Sequence, residues 1–395
     1  MDFSFADEDA DFRADARAWL EAHFTGEFAT AAGTGGPGSE HEGSCLRRRW
    51  EQELGSGGWV GIGWEQDGFG NRRASLTQQV VWAEEYARIR APGRMGHIGE
   101  NLLAPTLIAY GSEEQKRRFL PPIARGEELW CQGYSEPGAG SDLAGVRTTA
   151  EKEGDGYRVT GQKIWTSLAQ DADWCFVLAR TEPGSTRHHG LSFLLVPMDQ
   201  PGRIDVRPIR QMSGTAEFNE VFFDGAHAVG VVGGEGNGWQ VAMGLLALER
   251  GVSTLVQQIG FARELEEVIG EAVARGAAAE DPVLRDRLVR QWAELRTMRW
   301  NALRTLGTTT DPGAPSVAKL LWGGWHQRLG ELAMQVRGAS AAVGPYDWDA
   351  AHPYELDAQQ RQFLFTRADT IYGGSDEIQR TIIAERVLGL PREPR

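Results

Sequence analysis

Residues 131–167 read CQGYSEPGAGSDLAGVRTTAEKEGDGYRVTGQKIWTS and constrain the chain more than any other stretch. The stretch has two parts. Residues 133–142 are dense in Gly, Pro and Ser, with Glu136 among them and Ser141 and Asp142 closing the run. Glycine lets a backbone come close to a ligand and adopt turns that present N–H groups to an anion. Residues 157–167 alternate like a strand and end in Trp165, Thr166 and Ser167, a flat ring beside two hydroxyls. A Gly-rich loop alone is more often a turn than a ligand site. With the ring and hydroxyls just downstream, the stretch predicts a site for a planar aromatic cofactor carrying phosphate.

A chain of 395 residues exceeds what one core serves, so two or three subdomains are expected. No run of about 18 apolar residues is present for a membrane span. The N-terminus, MDFSFADED, is acidic where a signal peptide is basic, which predicts a cytoplasmic protein. The net charge of −14 argues against nucleic-acid binding, which needs a basic patch. Cys45, Cys131 and Cys175 are odd in number and far apart, so neither a disulfide framework nor a metal site is expected. Lysine stands only at 116, 152, 163 and 319, which reads as genomic bias toward Arg.

The periodicity divides the chain into three: a helical domain over 1–125, a β domain over 126–238 and a helical domain over 239–395. In the first, helices are predicted near 2–24, 45–54, 75–89 and 100–110. Ser112 and Gln115 form a capping box for another, which is expected to stop before Pro121 and Pro122. Residues 26–44 and 55–70 read as loops. Short β-rich runs follow at 157–159, 174–179, 191–196, 204–206 and 221–223, split by Gly, Pro and Asp clusters. Helical patterns return over 239–275, from Asp281 and Pro282 to about 306, over 315–337 and over 375–388. Trp50, Trp59, Trp82, Trp292 and Trp300 sit in apolar patterns and are expected in the core.

Three motifs in order, YSEPGAGSD at 134–142, GQKIWTS at 161–167 and IYGGSDEIQR at 371–380, resemble the acyl-CoA dehydrogenase family. The similarity extends to AERVLGLP at 384–391 and spans essentially the whole chain. It implies an α+β architecture: an N-terminal helical domain, a central β-barrel-like domain and a C-terminal four-helix bundle. It also implies FAD between the β domain and the bundle, with Gln132, Tyr134 and Ser135 at the isoalloxazine. Ser141 would lie near the pyrophosphate. Trp165, Thr166 and Ser167 would lie over the ring near N5, and Ser375 and Glu377 would be C-terminal cofactor contacts.

The resemblance implies removal of two hydrogens across Cα–Cβ of an acyl thioester by a carboxylate base and hydride transfer to the flavin. The commonest base position is Gly373 here, which has no side chain. LER at 248–250 resembles the pattern by which long-chain and isovaleryl branches carry the base on a helix, making Glu249 the expected base and Arg250 the residue that orients it or the thioester pocket. Gly373 keeps an N–H for the thioester carbonyl. Segments that reach a neighbour's FAD are only half matched, at Arg275 and at 335–339. That pattern resembles the Glu-bearing subunit of actinobacterial heteromeric dehydrogenases linked to sterol side-chain breakdown. It implies an α2β2 assembly with a paralogous subunit, or else a homotetramer, and electron transfer to an electron-transfer flavoprotein. Other readings on the same scaffold are a flavin oxygenase or oxidase, an acyl-carrier-protein dehydrogenase and a non-catalytic companion subunit.

Overall fold

The structure is a computed structural model that describes residues 6–36, 38–248, 252–305, 313–344 and 355–392. The N-terminal part holds α1 (Asp7–His23), α2 (Ser44–Ser56), α3 (Leu76–Arg88), α4 (Ala104–Tyr110) and α5 (Glu113–Ala124), with a π-helical turn, Gly99–Leu103, leading into α4. Two capping boxes start α3 and α5. Ser75 Oγ accepts from Gln78 N–H at 3.2 Å, and Ser112 Oγ accepts from Gln115 N–H at 3.2 Å. In each, the Gln side chain returns to the cap N–H, which satisfies two otherwise orphaned donors. Trp50, Trp59 and Trp82 are buried as expected, with Trp59 and Trp82 stacked at 4.3 Å.

Helix α5 does not stop before its prolines; Pro121 and Pro122 lie inside it. Their carbonyls still accept, from Arg125 N–H at 3.0 Å and Glu127 N–H at 2.9 Å, so the last turn closes around them. Leu120, Ile123 and Ala124 are buried there. Burying Leu120 and Ile123 is worth about 1.5–3 kcal/mol each, which offsets much of the roughly 3 kcal/mol that each of the two helical prolines costs.

The middle part contributes β1 (Trp130–Gly133), β2 (Thr149–Glu153), β3 (Gly156–Ser167), β4 (Trp174–Arg180), β5 (Leu191–Pro197), β6 (Ile204–Ile209), β7 (Phe218–Ala228) and β8 (Gly230–Val232). They form one sheet in the order β6-β7-β3-β2-β4-β5-β8, with β1 parallel to β4. Strands β2 and β4 share a single paired position, Thr149 with Arg180, so the sheet folds there into two halves. Val159, Val221 and Phe223 from one half pack with Cys131, Cys175, Val177 and Leu194 from the other, which gives the barrel-like interior. The alternate residues Phe176, Leu178, Phe193 and Leu195 face α4, α5 and α6 (Gly238–Leu248). Strands β4 and β5 are therefore continuous apolar runs, buried on both faces.

The C-terminal part consists of α7 (Val252–Ala274), the short α8 (Ala277–Glu280), α9 (Pro282–Thr305), α10 (Ala314–Arg337), α11 (Ala358–Phe365) and α12 (Asp376–Ile382). Helices α7, α9 and α10 share a core around Phe261, Leu295 and Trp325, and α11 and α12 pack on α10. Trp292 and Trp300 are not core residues: they are 52% and 51% exposed. The buried face of α9 is set by Leu284, Leu288, Gln291, Leu295, Met298 and Ala302, spaced three and four apart. Both tryptophans fall off that stripe. Helix α11 was not predicted, although Asp357 and Gln360 form a capping box that announces it. Among the described residues no helix is long and apolar enough to cross a membrane, and no cluster of metal-binding side chains is found.

Candidate active site

The predicted site residues fall into two clusters. The first is built by β1, the loop after it and the end of β3. Gln132 lies in β1, with Tyr134 and Ser135 just beyond it. Ser135 C=O accepts from Ile164 N–H at 2.9 Å, which ties the loop to the strand carrying Trp165. Below this joint Lys163 is 0% exposed. Its ammonium donates to Tyr134 C=O at 3.0 Å, Glu136 Oε1 at 2.9 Å and Leu178 C=O at 2.8 Å. The Glu136 carboxylate also accepts from Arg147 N–H at 2.6 Å and Thr148 N–H at 2.9 Å. Burial pulls the Glu136 carboxyl upward, but Lys163 and Thr148 hold it below the usual carboxylate range. Burial pushes the Lys163 ammonium down, against the pull of Glu136. An ion pair this dry is held by its full set of hydrogen bonds. It was missed because its partners are distant in sequence.

Trp165 stands where β3 slips register against β7, between Lys163 and Thr166. It has φ +61°, and Leu168, just past the strand, has φ +58°. Left-handed conformations are costly for such residues and collect at functional sites, and a bulge re-aims a side chain. The Trp165 ring accordingly turns outward, 54% exposed, with its edge against Phe218 at 6.0 Å. Thr166 turns inward. It is 0% exposed, and its Oγ1 has no hydrogen-bond partner among the described residues, while its carbonyl accepts from Asn219 Nδ2 at 3.0 Å. Ser141 is exposed in the Gly-rich turn, where a side chain on Gly138 or Gly140 would meet nothing within 4 Å.

The second cluster is the turn before α12, anchored on α10 rather than on the sheet. Ser375 caps α12, its Oγ accepting from Ile378 N–H at 3.4 Å. Glu377 is exposed in the first turn; the local backbone N–H and the Ser375 hydroxyl hold its carboxyl below the usual range. Gly373 and Gly374 have φ +64° and +86°, which only glycine adopts freely. Gln379, 0% exposed, supports both from beneath by donating to their carbonyls at 3.2 Å. No acceptor for the Gly373 N–H is found among the described residues. Glu249 and Arg250 lie outside the described residues.

Sequence profiles of the acyl-CoA dehydrogenase N-terminal, middle and C-terminal domains match residues 6–127, 131–226 and 236–388. Acyl-CoA dehydrogenase IpdE1 of Mycobacterium tuberculosis is 57% identical over 97% of this chain and 98% of that protein. The chain belongs to the acyl-CoA dehydrogenase family. The IpdE1 protein of Mycolicibacterium smegmatis is 53% identical over 97% of this chain and 98% of its own length. Among solved structures, the Tcur3481-Tcur3483 steroid ACAD superposes with a TM-score of 0.82 at 29% identity, covering 100% of both chains. The ChsE4-ChsE5 complex from Mycobacterium tuberculosis gives 0.79 at 30% identity, also over 100% of both chains. The chain is thus a flavoprotein oxidoreductase whose cofactor is FAD. The residues present fit that cofactor: an outward indole ring and an open Gly-rich turn lie on one joined segment.

Proposed function

We propose that this family member dehydrogenates an acyl-CoA thioester to the trans-2-enoyl-CoA, with Glu249 as the base that takes the α-proton. The observation that carries the reading is the 372–374 turn. Gly373 carries no side chain, and its N–H has no acceptor among the described residues. Such a donor suits a thioester carbonyl on which enolate-like charge develops as the α-proton leaves. Bound FAD supplies the acceptor for the hydride that departs from Cβ. Gln132, Tyr134 and Ser135 hold the ring end from β1, while Trp165, Thr166 and Ser167 hold it from β3. Ser141 serves the pyrophosphate, and Ser375 and Glu377 contact the cofactor from α12. Arg250 orients Glu249. Domain limits of 1–125, 126–238 and 239–395 go with this reading.

Resemblance to the solved steroid ACAD and to the ChsE4-ChsE5 complex supports a steroid-derived acyl chain and an α2β2 assembly with a paralogous subunit. Within this chain Arg275 pairs with Glu271 at 2.8 Å, and the Gln335 side chain accepts from Arg287. Electrons then pass to an electron-transfer flavoprotein. Glu249→Gln is the test. The variant is expected to keep FAD and bind acyl-CoA, yet lose flavin reduction by roughly 10²–10⁴-fold. Near-normal bleaching by substrate in that variant would remove Glu249 from the mechanism.

A further inference from the structure

Behind the 372–374 turn lies a buried polar cluster that no sequence motif announced. His326 on α10 is 5% exposed and sits between two carboxylates, with Nδ1 2.7 Å from Asp369 Oδ2 and Nε2 2.7 Å from Glu264 Oε2 of α7. Gln362 of α11 donates to the same Glu264 oxygen at 2.6 Å. Asp369 is 0% exposed, and its other oxygen accepts from the Tyr372 hydroxyl at 2.6 Å. Its carbonyl accepts from the Lys319 ammonium, which also lies 4.0 Å from the Trp322 ring centre and 4.9 Å from that of Tyr372. Lys319 Cε is 3.7 Å from where a Cβ on Gly373 would stand. Phe261 closes the other side of the imidazole at 4.2 Å.

We propose that His326 is a positioning residue for the 372–374 turn: clamped by Asp369 and Glu264, it fixes Asp369 and, through it, Tyr372 and Lys319, so that the Gly373 N–H is held at one angle. This rests on the thioester role given to Gly373 above. With both carboxylates ionised, His326 must donate from both ring nitrogens, which requires the imidazolium. Burial works against that charge, but Glu264 and Asp369 outweigh it and raise His326 to about 9. The facing charged groups are Glu264 from α7, Asp369 from the turn, Lys319 from α10 and Asp376 from α12; Glu40 adds its charge at Tyr372. Two cations balance Glu264 and Asp369. Burial drops Lys319 to about 8, so the balance fails on the alkaline side.

The test compares FAD-loaded wild type with His326→Gln and Glu264→Gln. In anaerobic flavin bleaching by acyl-CoA, His326→Gln is expected to slow the reduction rate about 10–100-fold while the acyl-CoA dissociation constant stays within about threefold. Independently of substrate, wild type is expected to lose thermal stability as pH rises from 6.5 toward 9, and His326→Gln to lack that fall. Should His326→Gln fail to fold, Glu264→Gln carries the test with a smaller effect of the same kind. A variant with wild-type reduction rate, or with the wild-type pH slope, overturns the proposal. If wild type is bleached by no acyl-CoA while the slope difference stands, the thioester reading fails and the clamp on the turn remains.

Discussion

Two buried lysines hold the two halves of the site, and they do it differently. Lys163 has a hydrogen-bond acceptor for each of its protons, and its partner Glu136 takes two further backbone N–H groups. Lys319 leans on one carbonyl and two aromatic faces. Burial lowers both ammonium groups. The β-domain lysine is a strut between a loop and a strand. The α10 lysine belongs to a cluster whose charge balance changes in the alkaline range. The proposed ring-end site thus rests on fixed scaffolding, while the proposed thioester donor rests on a titratable support.

The largest expected effect breaks the strut. Lys163→Met strands the Glu136 carboxylate in the interior and should cost about 3–5 kcal/mol in urea denaturation, with loss of bound FAD. A loss under about 1 kcal/mol would erase the contrast. The pH profile sharpens it next. His326 is raised from 6.5 to about 9, so its stabilisation is complete below pH 6.5 and is lost as pH rises through 9, about 3 kcal/mol in all. Lys319 is lowered from 10.5 to about 8, so the folded state sheds that proton first and stability recovers between those values. Wild type should therefore show a stability minimum near pH 8–9, and Lys319→Met should fall further and lose the recovery above it. A flat profile between pH 6.5 and 10 would mean that the α10 cluster is as fixed as the strut. The smallest effect concerns Ser167, the partly exposed hydroxyl at the end of β3. Ser167→Ala should weaken FAD about 5–10-fold in a titration, one hydrogen bond's worth of about 1 kcal/mol. Unchanged FAD affinity would detach β3's end from the cofactor.

The sequence made long periodic elements and capped starts legible, because those depend on residues three or four apart. Ser112 and Gln115 marked α5, and the β-rich runs marked the sheet. Asp357 and Gln360 carry the same signal for α11. Helix α5 runs through its two prolines because burial of Leu120, Pro122 and Ile123 offsets their local penalty. Trp292 and Trp300 were assigned to the core on apolarity, although the helix phase, fixed by Gln291 and Leu295, turns them outward. The motif residues of the candidate site stand out only as a resemblance. Their supports do not stand out at all. Lys163 meets Glu136 across 27 residues, and His326 meets Glu264 and Asp369 across 62 and 43. Nothing local encodes such pairings; they exist only once sheet and helices have packed.

The proton count at Lys163 has a consequence for how the chain can drift. An ammonium brings three protons, and this pocket offers three acceptors with 0% exposure. A guanidinium brings five N–H groups in a flat fork, so Lys163→Arg would set five donors against three acceptor groups placed for an ammonium in a dry pocket. In a chain that otherwise writes its positive charge almost wholly as Arg, position 163 is closed to that exchange by hydrogen-bond stoichiometry.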